Sequence, residues 1–134
     1  MSAGPVLGID PGTQKCGYAV VGAAGAPPLA LGVEPTPALR ARAVELIARF
    51  APVAVALGGG THGTNVAAML AGIGLPIHLI DEVETTLRAR ARYFADHPPR
   101  GWRRLVPRGM LLPPRPVDDY AAVLIAERYL ATLT

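Results

Sequence analysis

The stretch Val6-Leu7-Gly8-Ile9-Asp10-Pro11-Gly12-Thr13, continued by Gly17-Tyr18-Ala19-Val20-Val21, decides how the rest of the chain is read. Residues 5–10 and 16–22 read as two apolar strands joined by an Asp-Pro-Gly-Thr turn. Proline presets the backbone for such a turn and glycine tolerates the conformations it needs. Asp10 is thereby set at the tip of a core strand, where a carboxylate is costly unless something pairs with it. A bound cation is a common partner for such a group, although an Asx-type turn also uses an aspartate in this position.

Outward from this hairpin, Gly22 to Pro28 reads as an Ala/Gly/Pro loop and Leu29 to Val33 as a third strand. A helix starting at Thr36 or Pro37 has Leu39, Ala43, Leu46, Ile47 and Phe50 on one face, and Pro52 stops it. Val53 to Leu57 is a continuous apolar run, suited to a central strand covered on both faces. Residues 58–65, Gly-Gly-Gly-Thr-His-Gly-Thr-Asn, read as a flexible loop, with Thr64 or Asn65 capping a helix over Val66 to Gly72. Pro76 to Ile80 is a fifth strand. A helix follows with Val83, Leu87, Ala91 and Phe94 in register, then a basic, proline-rich loop over 98–116 that contains Trp102, then a last helix from Val117 to Leu133. The expected class is α/β: a five-stranded mixed sheet, elements in the order β-β-β-α-β-α-β-α-α, with helices on both faces and one domain over residues 1–134.

Composition narrows the functional classes. Hydrophobic residues make up 51% of the 134, and mean hydropathy is +0.32, which speaks against disorder. No apolar run reaches membrane-spanning length and no secretory leader is evident, so a cytoplasmic protein without a membrane partner is expected. The single cysteine, Cys16, excludes an internal disulfide and a cysteine metal cluster, and reads as a small core or edge residue. Net charge is +3. Arg88, Arg90, Arg92, Arg100, Arg103, Arg104, Arg108 and Arg115 fall in one segment whose only acid is Asp96. A planar guanidinium can donate two bonds to one phosphate, so this clustering points to nucleic acid.

Three groups of acids stand at element ends: Asp10 after strand one, Asp81-Glu82 after strand five, and Asp118-Asp119 opening the last helix. Oxygen donors of this kind suit hard divalent ions such as Mg²⁺ or Mn²⁺, which promote phosphodiester hydrolysis beside a positive surface. Acids at a helix start are also expected for dipole and capping reasons. Periodicity does not choose between Asp118 and Asp119.

Three motifs then carry a resemblance. Leu7-Gly8-Ile9-Asp10-Pro11-Gly12, Asp81-Glu82-Val83-Glu84-Thr85-Thr86 and Val117-Asp118-Asp119-Tyr120-Ala121-Ala122, in this order, resemble the motifs of the YqgF family, RNase H-like relatives of the RuvC Holliday-junction resolvase. The resemblance implies an RNase H-like fold and a nuclease acting on precursor small-subunit ribosomal RNA. It also implies a catalytic, metal-holding set of Asp10, Glu82 and Asp118, beside which Asp81 and Asp119 are further candidates. His62, by its place in the glycine loop at the same edge, is a candidate to contact a phosphate or assist a water but reads more readily as a solvated loop residue. Cleavage by water leaving a 5′-phosphate and a 3′-hydroxyl is expected. Lys15, Thr13, Thr85, Arg88, Arg92, Arg103, Arg104 and Arg108 are the expected nucleic-acid contacts, with RNA favoured over DNA and a monomer or homodimer as the working unit. The chain departs from the family at Val83, where arginine is usual, and at Gly58-Gly59-Gly60, where Gly-Leu-Pro is usual. The first motif is closer to RuvC, yet Leu57-Gly58 offers no glutamate where RuvC has a catalytic one, and RuvC is expected to be longer. The alternatives are a junction-type DNA nuclease, a catalytically inactive nucleic-acid-binding module, and an ATPase of the actin and sugar-kinase type, which needs two such domains.

Overall fold

The structure is a computed structural model, and it describes residues 4–23, 25–59, 61–80 and 118–132. Five strands form one mixed sheet: β1 (Val6–Asp10), β2 (Lys15–Val21), β3 (Ala30–Pro35), β4 (Ala54–Gly58) and β5 (Ile77–Ile80), in the spatial order β3-β2-β1-β4-β5. The first three strands are an antiparallel meander, with Asp10 opposite Gly17 and Lys15 opposite Pro35. β4 and β5 then add in parallel on the other side of β1. β1, β4 and β5 therefore all end at one edge of the sheet, at Asp10, Gly58 and Ile80. The helices are α1 (Leu39–Phe50), preceded by a 3₁₀ turn (Thr36–Ala38), α2 (Thr61–Met69) and α3 (Asp118–Ala131). The expected helix at 83–97 and the loop at 98–116 lie outside the described residues.

Each face of the sheet has its own core. On one, Leu7, Ile9, Cys16, Val20, Val55 and Leu57 meet Leu39, Ala43 and Leu46 of α1 together with Val66 and Leu70. The stripe expected on α1 is thus the buried one. Its arginines serve the rim: Arg40 donates to the carbonyls of Met69 (2.9 Å), the last residue of α2, and Ala71 (2.8 Å) in the turn that follows. Arg42 donates to Glu34 (3.1 Å) and Glu45 (2.6 Å), and these contacts hold its pKa above the ordinary arginine value, the Glu34 bond first and then the charges of Tyr18 and Glu45.

On the other face, Val6, Ala19, Val21 and Ala56 meet Ala122, Val123, Ile125 and Ala126 of α3. Gly8 makes this contact close. A Cβ there would collide with the carbonyl oxygen of Ala122 and come within 2.9 Å of the Ala126 methyl. The run of α3 follows from two contacts. Ala122 lies on Gly8, while Glu127 accepts from the backbone N–H of Gly25 (2.7 Å), in the β2–β3 connection beyond the opposite edge. The first turn of α3 is therefore directed toward the edge where Asp10 stands.

One expectation is corrected. The glycine-rich stretch is not a loop up to Asn65: α2 begins at Thr61 and takes in His62, Gly63, Thr64 and Asn65. Glycine ordinarily weakens a helix, but a Cβ at Gly63 would strike the carbonyl oxygen of Gly58. The helix can start against the end of β4 only because residue 63 has no side chain. The α2 helix also ends at Met69, short of Gly72, whose positive φ of 84° belongs to the turn that follows. Among the described residues no helix is long and apolar enough to cross a membrane.

Candidate active site at the strand ends

In an open α/β sheet, the carboxyl ends of parallel strands form the crevice where ligands are bound, at the point where strand order reverses. Here β1 runs between antiparallel β2 and parallel β4, and its last residue is Asp10. Asp10 is half-buried and shares the sheet face of Val6 and Gly8, the face that α3 covers. Beside it Gly58 and Gly59 bring no side chain, and Gly59 N–H extends the β4–β5 ladder to the carbonyl of Ile80 (2.8 Å). The turn leaving Asp10 walls a recess of about 270 Å³ lined by residues 10–15.

The turn is anchored from two sides. On the outside, Thr13 Oγ1 lies 3.3 Å from Nε2 and 3.4 Å from Nδ1 of His62, in the first turn of α2. His62 is exposed, as expected of a loop residue, but it stands on a helix and reaches the Asp10 turn. Underneath, Thr36 holds the turn twice. Its N–H donates to the carbonyl of Gln14 (2.9 Å) and its hydroxyl to the carbonyl of Gly12 (3.0 Å). The sulfur of fully buried Cys16 is 3.4 Å from the same hydroxyl. The thiol is also 3.9 Å from the Gly12 carbonyl, so sulfur, hydroxyl and carbonyl form one small cluster under the turn.

Of the expected site residues, Asp10, Thr13, Lys15 and His62 come together at this edge. Lys15, the first residue of β2, is exposed at the mouth of the recess. Asp118 and Asp119 are the first two residues of α3, whose backbone starts toward the same edge. Asp81, Glu82, Thr85, Arg88, Arg92, Arg103, Arg104 and Arg108 lie outside the described residues, though β5 ends at Ile80, one residue before Asp81. Among the described residues no three metal-ligating side chains gather. What Asp10 offers is a hard oxygen donor in a half-buried recess, and that donor chemistry fits Mg²⁺ or Mn²⁺ rather than a soft metal. The residues that sequence reasoning missed are Thr36 and Cys16 as supports of the turn. The first read only as a helix start and the second only as core.

No protein-family model matches the chain, and no curated protein does. Solved structures do. A Thermus thermophilus RuvC structure is similar over 96% of each chain at 23% identity, with a TM-score of 0.57. T. thermophilus RuvC in complex with Holliday junction substrate is similar at 21% identity and a TM-score of 0.61, covering 96% of this chain and 95% of that one. The fold is thus the RNase H-like fold of RuvC, as the motifs implied. Both similarities run nearly end to end in each chain.

Proposed function

We infer that the chain is a divalent-metal-dependent nuclease that hydrolyses phosphodiester bonds in nucleic acid. The observation that carries this reading is the half-buried Asp10 carboxylate at the end of the central strand, at a recess walled by residues 10–15, within the fold of RuvC. Asp10, Glu82 and Asp118 would hold one or two Mg²⁺ or Mn²⁺ ions, with Asp81 and Asp119 adjacent. A divalent cation bound there supplies Lewis-acid activation of water and of the scissile phosphate. The chain's own residues then bind and orient. Lys15 offers a point charge to a phosphate oxygen at the recess mouth. Thr13, held by His62, presents a hydroxyl beside it. Thr85 and the arginines at 88, 92, 103, 104 and 108 would follow the phosphate backbone, so affinity should fall steeply with salt.

For substrate, a RuvC of this fold and span has been solved with a Holliday junction, which favours branched DNA. The second reading is precursor small-subunit ribosomal RNA. The motifs Asp81 to Thr86 and Val117 to Ala122, which follow the YqgF pattern, favour it. Both readings share the acidic centre. The test is a panel of a four-way DNA junction, linear duplex, single-stranded RNA and precursor ribosomal RNA, each with Mg²⁺ and with Mn²⁺. Cleavage of at least one substrate is expected. Asp10→Asn should lower it at least about 100-fold, which corresponds to about 2.7 kcal/mol of transition-state stabilisation. Binding without cleavage under every metal would leave an inactive nucleic-acid-binding module, and ATP turnover without cleavage would favour the ATPase.

A further inference from the structure

Between strands β1 and β2 the chain makes a four-residue excursion, Pro11 to Gln14, that the β-ladder does not hold: pairing stops at Asp10 opposite Gly17. Something else must fix this excursion, because it sets where the backbone leaves Asp10 and where Thr13 and Lys15 stand. Thr36 supplies that hold. It follows Pro35, the partner of Lys15 in the β2–β3 register, so it arrives directly under the turn. Its N–H takes the Gln14 carbonyl and its hydroxyl the Gly12 carbonyl. The Cys16 sulfur, itself in the core, packs behind the hydroxyl at 3.4 Å and lies 3.9 Å from the same Gly12 carbonyl. Glycine at 12 is required for the arrangement, since a Cβ there would collide with the carbonyl oxygen of Lys15.

The geometry points to Thr36 as a positioning residue of the Asp10 site. Its hydroxyl locks the Pro11–Gln14 turn in the shape in which the Asp10 carboxylate meets a divalent cation. This rests on the metal-dependent reading above. The side-chain hydroxyl is the working group, because the backbone N–H bond to Gln14 is available to any residue but proline. Hydrogen bonds made directly to a metal's ligands are worth about 10- to 100-fold in its affinity, and Thr36, acting on Asp10 through the Gly12 carbonyl, is expected at the low end.

The test is Mn²⁺ binding to the metal-free full chain by titration calorimetry, well below the melting temperature of every variant, with no substrate present. Thr36→Val keeps the shape and loses the hydroxyl, and Thr36→Ser keeps the hydroxyl and loses the methyl. Thr36→Val is expected to weaken Mn²⁺ binding about tenfold, and Thr36→Ser to stay within about twofold of the wild type. Should Thr36→Val not fold, Thr36→Ala removes the same hydroxyl and carries the same expectation. Wild-type affinity in the hydroxyl-less variant overturns the proposal. So does a Thr36→Ser protein as weak as Thr36→Val, since the methyl would then be the group that matters. A separate arm addresses the underlying reading: if wild type and Asp10→Asn bind Mn²⁺ equally, or neither binds, Asp10 is not a ligand and the proposal falls with that reading.

Discussion

Leu7 and Gly8 are neighbours on β1, face opposite sides of the sheet, and are packed by different means. Leu7 sits among large branched side chains, Val20, Val55, Leu57, Leu39 and Leu46, that fill the space beneath α1 and α2. Gly8 sits among small ones, Ala19, Ala56, Ala122 and Ala126, and the α3 backbone comes down onto it. A core of large side chains tolerates adjustment, because rotamers can shift to absorb a change in volume. Backbone against backbone has no such slack. The α3 backbone lies directly on Gly8, so the seat of α3 on β1 leaves less room for adjustment than the side-chain core leaves α1. A site that needs groups from two distant segments held within a fraction of an ångström is better served by the second kind of contact.

Breaking the first face should cost more stability and less function. Leu7→Ala removes a fully buried side chain from the larger core, and a loss of about 3 kcal/mol is expected in denaturant unfolding. Cleavage per folded molecule, measured where both proteins are folded, should stay within about twofold of the wild type. A large fall in turnover by the folded fraction would show that the α1 and α2 face also sets the site.

The reverse is expected one residue on. Gly8→Ala adds a single methyl, which meets the carbonyl oxygen of Ala122 and the Ala126 methyl. Overpacking of this kind costs about 2 kcal/mol. Backbone against backbone leaves α3 to lift, which shifts its first turn relative to β1. Cleavage per folded molecule should then fall about tenfold or more, out of proportion to the stability lost. Equal turnover in Gly8→Ala and wild type would mean that the start of α3 contributes nothing to the reaction.

The same contrast explains which features could be read from the chain alone. The β1–β2 hairpin, the α1 stripe and the tip position of Asp10 were legible because they are local: Pro11-Gly12 makes the turn, and Leu39, Ala43 and Leu46 recur at helical spacing. The start of α2 was not. Gly63 reads as a breaker by propensity, yet it is needed there for the approach to the Gly58 carbonyl, a tertiary fact. Thr36 was read only in part, for a related reason. Its local signal is that of a helix start, and its second task depends on the register that sets Pro35 opposite Lys15. The edge position of His62 was legible, but its contact with Thr13 depends on α2 beginning at Thr61. Residues whose partners lie on other elements are invisible to periodicity, and at this site they are the ones that support the turn.

The α1 face carries one further irregularity, and relieving it sharpens the comparison. Ala51 closes α1 in the left-handed region, φ 50°, with its N–H on the Ile47 carbonyl (3.0 Å). This is a helix end normally given to glycine, because a Cβ in that conformation crowds the backbone by about 1–2 kcal/mol. Ala51 is exposed and packs against nothing that a substitution would lose. Glycine is more mobile in the unfolded chain, and that offsets part of the gain. Ala51→Gly should therefore stabilise the protein by about 1 kcal/mol, a rise in melting temperature of about 4 °C. Cleavage and Mn²⁺ affinity should not change, because α1 touches neither Gly8 nor the start of α3. If Ala51→Gly raised the melting temperature and also altered Mn²⁺ affinity, the two faces would be mechanically coupled through the sheet, and the division of labour between them would have to be abandoned.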